Sequence, residues 1–359
     1  MSSTDSPEGI KPGTDPGIDL PRVQAWFAEN IDGYSGAPLS ASLIAGGRSN
    51  LTYLVNDGTN EWVLRRPPLG HVLPTAHDMA REYRVQHALA NTAVPVPKIL
   101  GFCDDLAIND AVFYVMERVD GVIYRDASSI ASLSPTDAKN VSHALVDVLA
   151  DIHAVDYNAI GLGDFGRPEG YCERQVRRWG EQWERSKTRE IPAVDEVARR
   201  LKNALPASGS PTIVHGDYRL DNTMMDPRDP SRIAAVLDWE MSTLGDPLTD
   251  LGLFLLYWGQ ADAQVIATGS AIGSQDGFLD HDGIVEAYAL KSGRSVDDLD
   301  WYEVFAAFKL AIIVEGINAR FQMGKTLGDG FEAMGALVGG LVDGALQRAS
   351  NSTIAALRG

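Results

Sequence analysis

The chain has 359 residues, 45% of them hydrophobic and 22% charged, the profile of an ordinary soluble globular protein long enough for two lobes. Its 31 basic and 49 acidic residues give a net charge of −18, which argues against a nucleic acid or an anionic membrane surface as the main partner. Two cysteines, Cys103 and Cys172, supply neither a disulfide framework nor a metal cluster, so a reducing, cytoplasmic setting is expected.

Residues 1–18 are acidic and rich in Ser, Pro and Gly, with no basic or apolar leader, and read as a disordered tail. A short amphipathic helix is expected from Leu20 to Ile31, capped by Asp19 with Pro21 in its first turn. Three strand-like runs follow: 41–44, ending at Gly46-Gly47; 51–55, ending in the hairpin signal Asn56-Asp57-Gly58; and 62–65, ending before Pro67-Pro68. A helix over about 76–90 and strands at 97–100 and 112–116 complete an antiparallel sheet with one helix, an N-lobe expected to span 19–117. From 118 to 359 the pattern becomes mostly helical. Ser134-Pro135 opens a helix with Val141, Leu145, Val148, Leu149 and Ile152 on one face, and further helices are expected near 170–187, 193–204, 247–258, 283–292, 301–322 and 331–357. Strands at 212–215 and 233–237 interrupt them, and the apolar run 251–258 is too short for a membrane helix of ~20 residues.

Those two strands carry the chemistry. Ile213-Val214-His215-Gly216-Asp217 turns on a glycine and places Asn222 five residues after Asp217; the second strand ends in Leu237-Asp238-Trp239. An aspartate that orients a hydroxyl, beside an asparagine and a second aspartate that supply hard oxygen ligands, is a layout for Mg-dependent phosphoryl transfer. A Gly-Asp pair alone would be an ordinary turn; the full spacing is much more specific.

HGDYRLDN, followed by VLDWE and GDPLTDL, resembles the aminoglycoside phosphotransferase family, which is similar to protein kinases in fold. The resemblance covers about residues 38 to 345 and implies an α+β, bilobal protein-kinase-like fold with a small antiparallel-sheet N-lobe and a larger helical C-lobe. It implies Asp217 as the catalytic acid and Asn222 and Asp238 as Mg ligands, with ATP as the phosphoryl donor. Asp246 and Asp250 are read first as structural helix-start acids, with Asp250 also fitting the family's acid that braces the catalytic loop. A protein kinase proper is disfavoured, because no DFG or APE triplet follows Asp238.

On the nucleotide side, Gly46, Gly47 and Ser49 resemble the family's phosphate-positioning loop, although a Gly-Gly hairpin is the bland alternative. The family's phosphate-binding lysine is replaced here by arginine: Arg65 is expected at that position, with Arg66 as the alternate register and Glu82 as the helix partner. Residues 112–121 resemble the family's hinge, which implies adenine contacts from the Glu117 carbonyl and the Val119 amide, with Met116 lining the pocket.

On the substrate side, Tyr171 to Trp183 is basic and aromatic within an acidic chain. Arg174, Arg177, Arg178 and Arg185 either attract an anion or pair with Glu173, Glu181 and Glu184 along the helix. Trp179 and Trp183 read as inward packing, His153 as structural packing, and His215 as a brace for the loop backbone. The RQVRRW run, with VLRRPP and VPVPK, resembles the kinase-like region of acyl-CoA dehydrogenase family members 10 and 11, a branch associated with hydroxylated acyl groups. The expected function is therefore ATP- and Mg-dependent phosphorylation of a hydroxylated small molecule, a hydroxyacyl thioester or hydroxy acid. The rivals are a true aminoglycoside kinase and a non-catalytic nucleotide-binding protein.

Overall fold

The computed structural model describes residues 17–44, 50–69, 78–125, 127–207, 209–259, 275–324 and 333–359. The chain divides into two compact units, Met1–Ala90 with Val96–Val119, and Asn91–Pro95 with Asp120–Gly359.

The first unit holds α1 (Leu20–Asn30), β1 (Ser40–Leu43), β2 (Leu51–Asn56), β3 (Glu61–Arg66), α2 (Met79–Leu89), β4 (Ile99–Cys103), the single turn α3 (Leu106–Asn109) and β5 (Phe113–Glu117). Its five strands form one antiparallel sheet in the order β1-β2-β3-β5-β4. The β2–β3 hairpin closes at the Asn-Asp-Gly turn because Asp57 accepts from the amides of Thr59 and Asn60 at 2.9 and 2.7 Å while Gly58 takes φ +84°. One sheet face buries Tyr53, Val55, Trp62 and Leu64 against Val23 and Phe27 of α1. The α1 start is the expected one: Asp19 accepts from the Arg22 amide. Residues 17–18, assigned above to the tail, are held instead. Ile18 is buried, and the Arg66 guanidinium donates to the Gly17 carbonyl.

The second unit contains α4 (Ala127–Ile130), α5 (Pro135–Ala154), α6 (Tyr171–Ser186), α7 (Pro192–Asn203), β6 (Thr212–Val214), β7 (Thr223–Asp226), β8 (Asp229–Val236), β9 (Thr243–Gly245), α8 (Leu248–Gly259), α9 (His281–Ser292), α10 (Leu299–Gln322), α11 (Met334–Asn351) and α12 (Ala355–Arg358). Two small antiparallel pairs, β6-β9 and β7-β8, sit among these helices. The sequence pattern did not separate β7 and β9, and it placed one helix over 331–357 where the structure has two. The break is at Ser352, which is extended and whose hydroxyl donates to Asp300 at 2.7 Å. α8 is apolar on every side and buried almost throughout, so the 251–258 run is core. Gly252 lets α10 come close, since a Cβ there would lie 2.7 Å from the Tyr302 carbonyl. No described helix is long and apolar enough to cross a membrane.

Candidate active site

The loop between β6 and β7 is fixed from below by one acid. Asp250, in the first turn of α8 and fully buried, turns its carboxylate away from its own helix. It accepts from the His215 amide at 2.6 Å and the Gly216 amide at 2.8 Å. His153 on α5 completes the set, with Nε2 3.3 Å from Asp250 and Nδ1 2.7 Å from the Tyr288 hydroxyl. Burial would raise the Asp250 carboxyl, but the His153 bond and the nearby imidazoles and amides outweigh it and hold the acid ionised. Burial likewise pushes His153 below its ordinary range, so the pair is a carboxylate with a neutral imidazole donating from Nε2. The helix-start reading therefore fits Asp246, which accepts from the Leu248 amide at 3.1 Å, and not Asp250. His153 is likewise more than packing.

Above this brace the chain must turn sharply. Gly216 has φ +86°, and a Cβ there would lie 2.7 Å from the Met241 carbonyl, so no other residue fits. His215 holds the second side of the turn, as expected. Its Nδ1 accepts from the Asp217 amide at 3.3 Å, and its Nε2 donates to the Leu237 carbonyl at 3.0 Å. That bond ties the end of β8, where Asp238 sits, to the loop. A second tie is the Leu237 amide, which donates to the Asn222 carbonyl at 2.8 Å.

Asp217, Asn222 and Asp238 are thereby brought to one end of the β7-β8 pair. Asn222 Nδ2 donates to both the main-chain carbonyl and Oδ2 of Asp217, each at 2.9 Å. With Nδ2 used in these bonds, Oδ1 remains as the acceptor of the side chain. Asp217 Oδ1 accepts no hydrogen bond among the described residues, while Arg219 lies 3.6 Å from Oδ2 and 2.9 Å from Asp221. Asp238 takes φ +64° and ψ +60°, one of two described non-glycine residues at positive φ. A left-handed aspartate is held at some conformational cost where the surroundings demand it. The donor set fits a hard cation: one amide oxygen and one carboxylate, too few to hold it without phosphate or water oxygens. No group of three or more His, Cys, Asp or Glu among the described residues is arranged to hold a metal.

In the first unit, Glu82 of α2 is buried and takes Arg65 Nε at 2.9 Å, with the Asn50 amide at 3.4 Å. Glu82 is thus withdrawn from solvent and pairs with the arginine on β3 as its expected helix partner. Arg65 and Arg66 alternate on β3, and Arg66 turns the other way, donating to the Pro67 and Gly17 carbonyls. Of the two arginines, Arg65 is the one that pairs with the glutamate. Met116 is buried at the end of β5. The Glu117 amide donates to the Lys98 carbonyl and its carboxylate accepts from the Lys98 amide, both at 2.9 Å. Val119 is partly buried two residues beyond the strand. Gly46, Gly47 and Ser49 lie outside the described residues.

One residue near Asp217 escaped the sequence reading. Lys309, on α10, donates from Nζ to the Gly216 carbonyl at 2.8 Å. It is 93 positions away in a helix with no local motif, so no spacing signal marks it.

A family model described as "phosphotransferase enzyme family" matches residues 40–281. Acyl-CoA dehydrogenase family member 11 from Rattus norvegicus is 36% identical over 315 residues, which cover 86% of this chain and 40% of that protein. The chain therefore spans well under half the length of this relative. The crystal structure of a candidate aminoglycoside phosphotransferase from Ralstonia eutropha is similar at 34% identity, with a TM-score of 0.83 over 94% of this chain and 99% of that one. A thermostable aminoglycoside phosphotransferase mutant, solved with ADP and hygromycin B, gives a TM-score of 0.60 over 91% and 99% of the two chains; at 15% identity it shows the kinase-like fold alone. Motif, fold and family model agree: this chain belongs to the phosphotransferase enzyme family.

Proposed function

We propose that this protein is an ATP- and Mg-dependent phosphotransferase that acts on a hydroxyl of a small molecule, a hydroxy acid or hydroxyacyl thioester. The observation that carries the reading is the disposition of Asp217. Its Oδ2 is fixed by Asn222 while its Oδ1 accepts no hydrogen bond among the described residues. In this account the acceptor hydroxyl donates to Asp217 Oδ1, its oxygen attacks the γ-phosphorus, and the bond to the β–γ bridging oxygen breaks. The proton passes to Asp217 and ADP leaves. Asn222 Oδ1 and Asp238 would hold Mg, which when bound neutralises charge on the phosphate oxygens. Arg65, fixed by Glu82, takes the place of the usual lysine against the nucleotide phosphates. Gly46, Gly47 and Ser49 would approach the phosphates, and Met116, Glu117 and Val119 the adenine.

The hydroxylated, anionic acceptor is favoured over an aminoglycoside by the relation to acyl-CoA dehydrogenase family member 11 and by the cations near Asp217 discussed below. A cytoplasmic location is part of the same proposal. Titration calorimetry tests the metal assignment: ATP affinity should rise with Mg in the native protein and lose that dependence in Asp238→Ala. Unchanged metal dependence in the variant would sink it.

A further inference from the structure

The arginines of α6 are not equivalent. Arg174 donates to the carbonyls of Arg167 and Glu169 and so closes its own N-terminal loop. Arg177 pairs with Glu181 at 3.8 Å, and Arg185 donates to Gln182 at 3.3 Å. Of these three, Arg177 follows the helix-pairing alternative, while Arg174 and Arg185 are satisfied by carbonyl oxygens instead of the helix glutamates. Arg178 is different: it is exposed, and among the described residues it has no hydrogen bond or ion pair.

Lys309 is itself short of acceptors. An ammonium has three donors, and among the described residues the Gly216 carbonyl is the one acceptor it reaches. Its Nζ also lies over the Trp179 ring, 5.9 Å from the centroid. Neither Asp217 nor Asp250 forms an ion pair with it, and the Asp250 carboxylate is already taken by His215, Gly216 and His153. Burial lowers the Lys309 ammonium from its ordinary range; Asp217 and Asp250 oppose that and Arg178 adds to it. The Trp179 Nε1 is buried and has no hydrogen-bond partner among the described residues. Beside the Asp217 loop, the remaining Lys309 donors and the Trp179 N–H thus lack a protein acceptor among the described residues, and Arg178, next to Trp179 on α6, is exposed and unpaired. Donors left unmatched in a desolvated place are costly unless a ligand satisfies them.

We propose that Lys309, Arg178 and Trp179 form a receptor for an oxyanion, a carboxylate or phosphate ester, carried by the same small molecule that presents its hydroxyl to Asp217. The proposal rests on the phosphotransferase reading for the identity of that molecule, but the anion site can be tested without turnover. Lys309 keeps its bond to Gly216 while it contacts the anion, so the receptor and the catalytic loop share a fixed distance. Arg178 approaches from α6 and sets the preference for a charged over a neutral acceptor.

Titration calorimetry on the full chain, without nucleotide, would use three probes: 3-hydroxybutyrate, 3-hydroxybutyryl-CoA and the neutral 1,3-butanediol. At least one anion should bind, and the diol should be about tenfold weaker or worse. A preference for the free acid identifies a carboxylate as the group read; a preference for the thioester identifies the coenzyme phosphates. Arg178→Gln and Lys309→Met should each weaken the anion about tenfold or more and leave the diol unchanged, and Lys309→Arg should recover part of the loss. Should Lys309→Met lower the melting temperature, the exposed Arg178→Gln carries the test alone. The proposal is overturned if the native protein binds neither anion, binds the diol as tightly, or if Arg178→Gln binds the anions like the native chain. Mg-ATP titrated into the same native sample separates the two ideas. Absent nucleotide binding would remove the kinase reading, and the anion data would be judged independently.

Discussion

Asp250 and Asp217 flank the same glycine turn, yet their surroundings are opposite. Asp250 is fully buried and takes two backbone amides and an imidazole, so no ligand can reach it. Asp217 keeps one oxygen fixed by Asn222 and the other without a donor among the described residues. A saturated buried carboxylate is architecture: its bonds hold the turn at a defined geometry. An acid held in place but incompletely satisfied is chemistry, because its remaining capacity is offered to a reactant. The contrast also separates Arg65 from Arg66. Arg65 is fixed by one buried glutamate, while Arg66 is used up on the Pro67 and Gly17 carbonyls.

The largest effect should come from the brace. Asp250→Ala strands the His215 and Gly216 amides and should cost about 3–5 kcal/mol of stability in denaturant unfolding. A loss under about 1 kcal/mol would erase the distinction between the two acids. Next is Asp217→Asn, which keeps the side-chain shape. Turnover should fall about two orders of magnitude or more, with the melting temperature and ATP affinity nearly intact. A matching loss of stability would make Asp217 a second brace. Then comes the arginine pair: Arg65→Ala should weaken nucleotide binding about tenfold or more, whereas Arg66→Ala should lower thermal stability and leave nucleotide binding unchanged. The reverse order would move the phosphate contact to Arg66.

The smallest effect is a pH dependence away from the site. His281 donates to Glu303 at 2.8 Å, and mainly through that bond its pKa is pushed up from 6.5 to about 8. A raised folded-state value means the bond contributes stability fully below about 6.5, and the contribution fades as pH rises through about 8. The stability gap between the native protein and His281→Gln should therefore shrink between pH 6 and 9, as read by thermal melts. A gap that widens over that range would contradict the assignment.

Much of this was legible from local pattern. The strands of the first sheet and the helices α5 to α7 follow apolar patterning, α8 and α10 read as apolar runs, and their boundaries fall within a few residues of expectation. Caps such as Asp19 and Ser134 are marked by residue type. The Asp217–Asn222 spacing is short enough that the loop itself brings the two side chains together. What remained hidden depends on distant partners. β7 and β9 are three or four residues long and exist because β8 and β6 pair with them. The aim of the Asp250 carboxylate depends on amides 34 and 35 positions away. Nothing local marks Lys309, whose place depends on α10 lying against Gly216. The arginines of α6 could not be sorted by composition, since only their individual partners distinguish Arg178 from the rest.

The most direct test of the central claim is transfer of the labelled γ-phosphate from ATP. The native protein and Asp217→Asn would each be offered Mg-ATP with hydroxy acids, hydroxyacyl thioesters and kanamycin-type polyamines in parallel. The account predicts label in the phosphate monoester of a hydroxy acid or thioester with the native protein, and almost none with the variant. Label found only in inorganic phosphate, in the polyamine, or equally with native and variant proteins would contradict it.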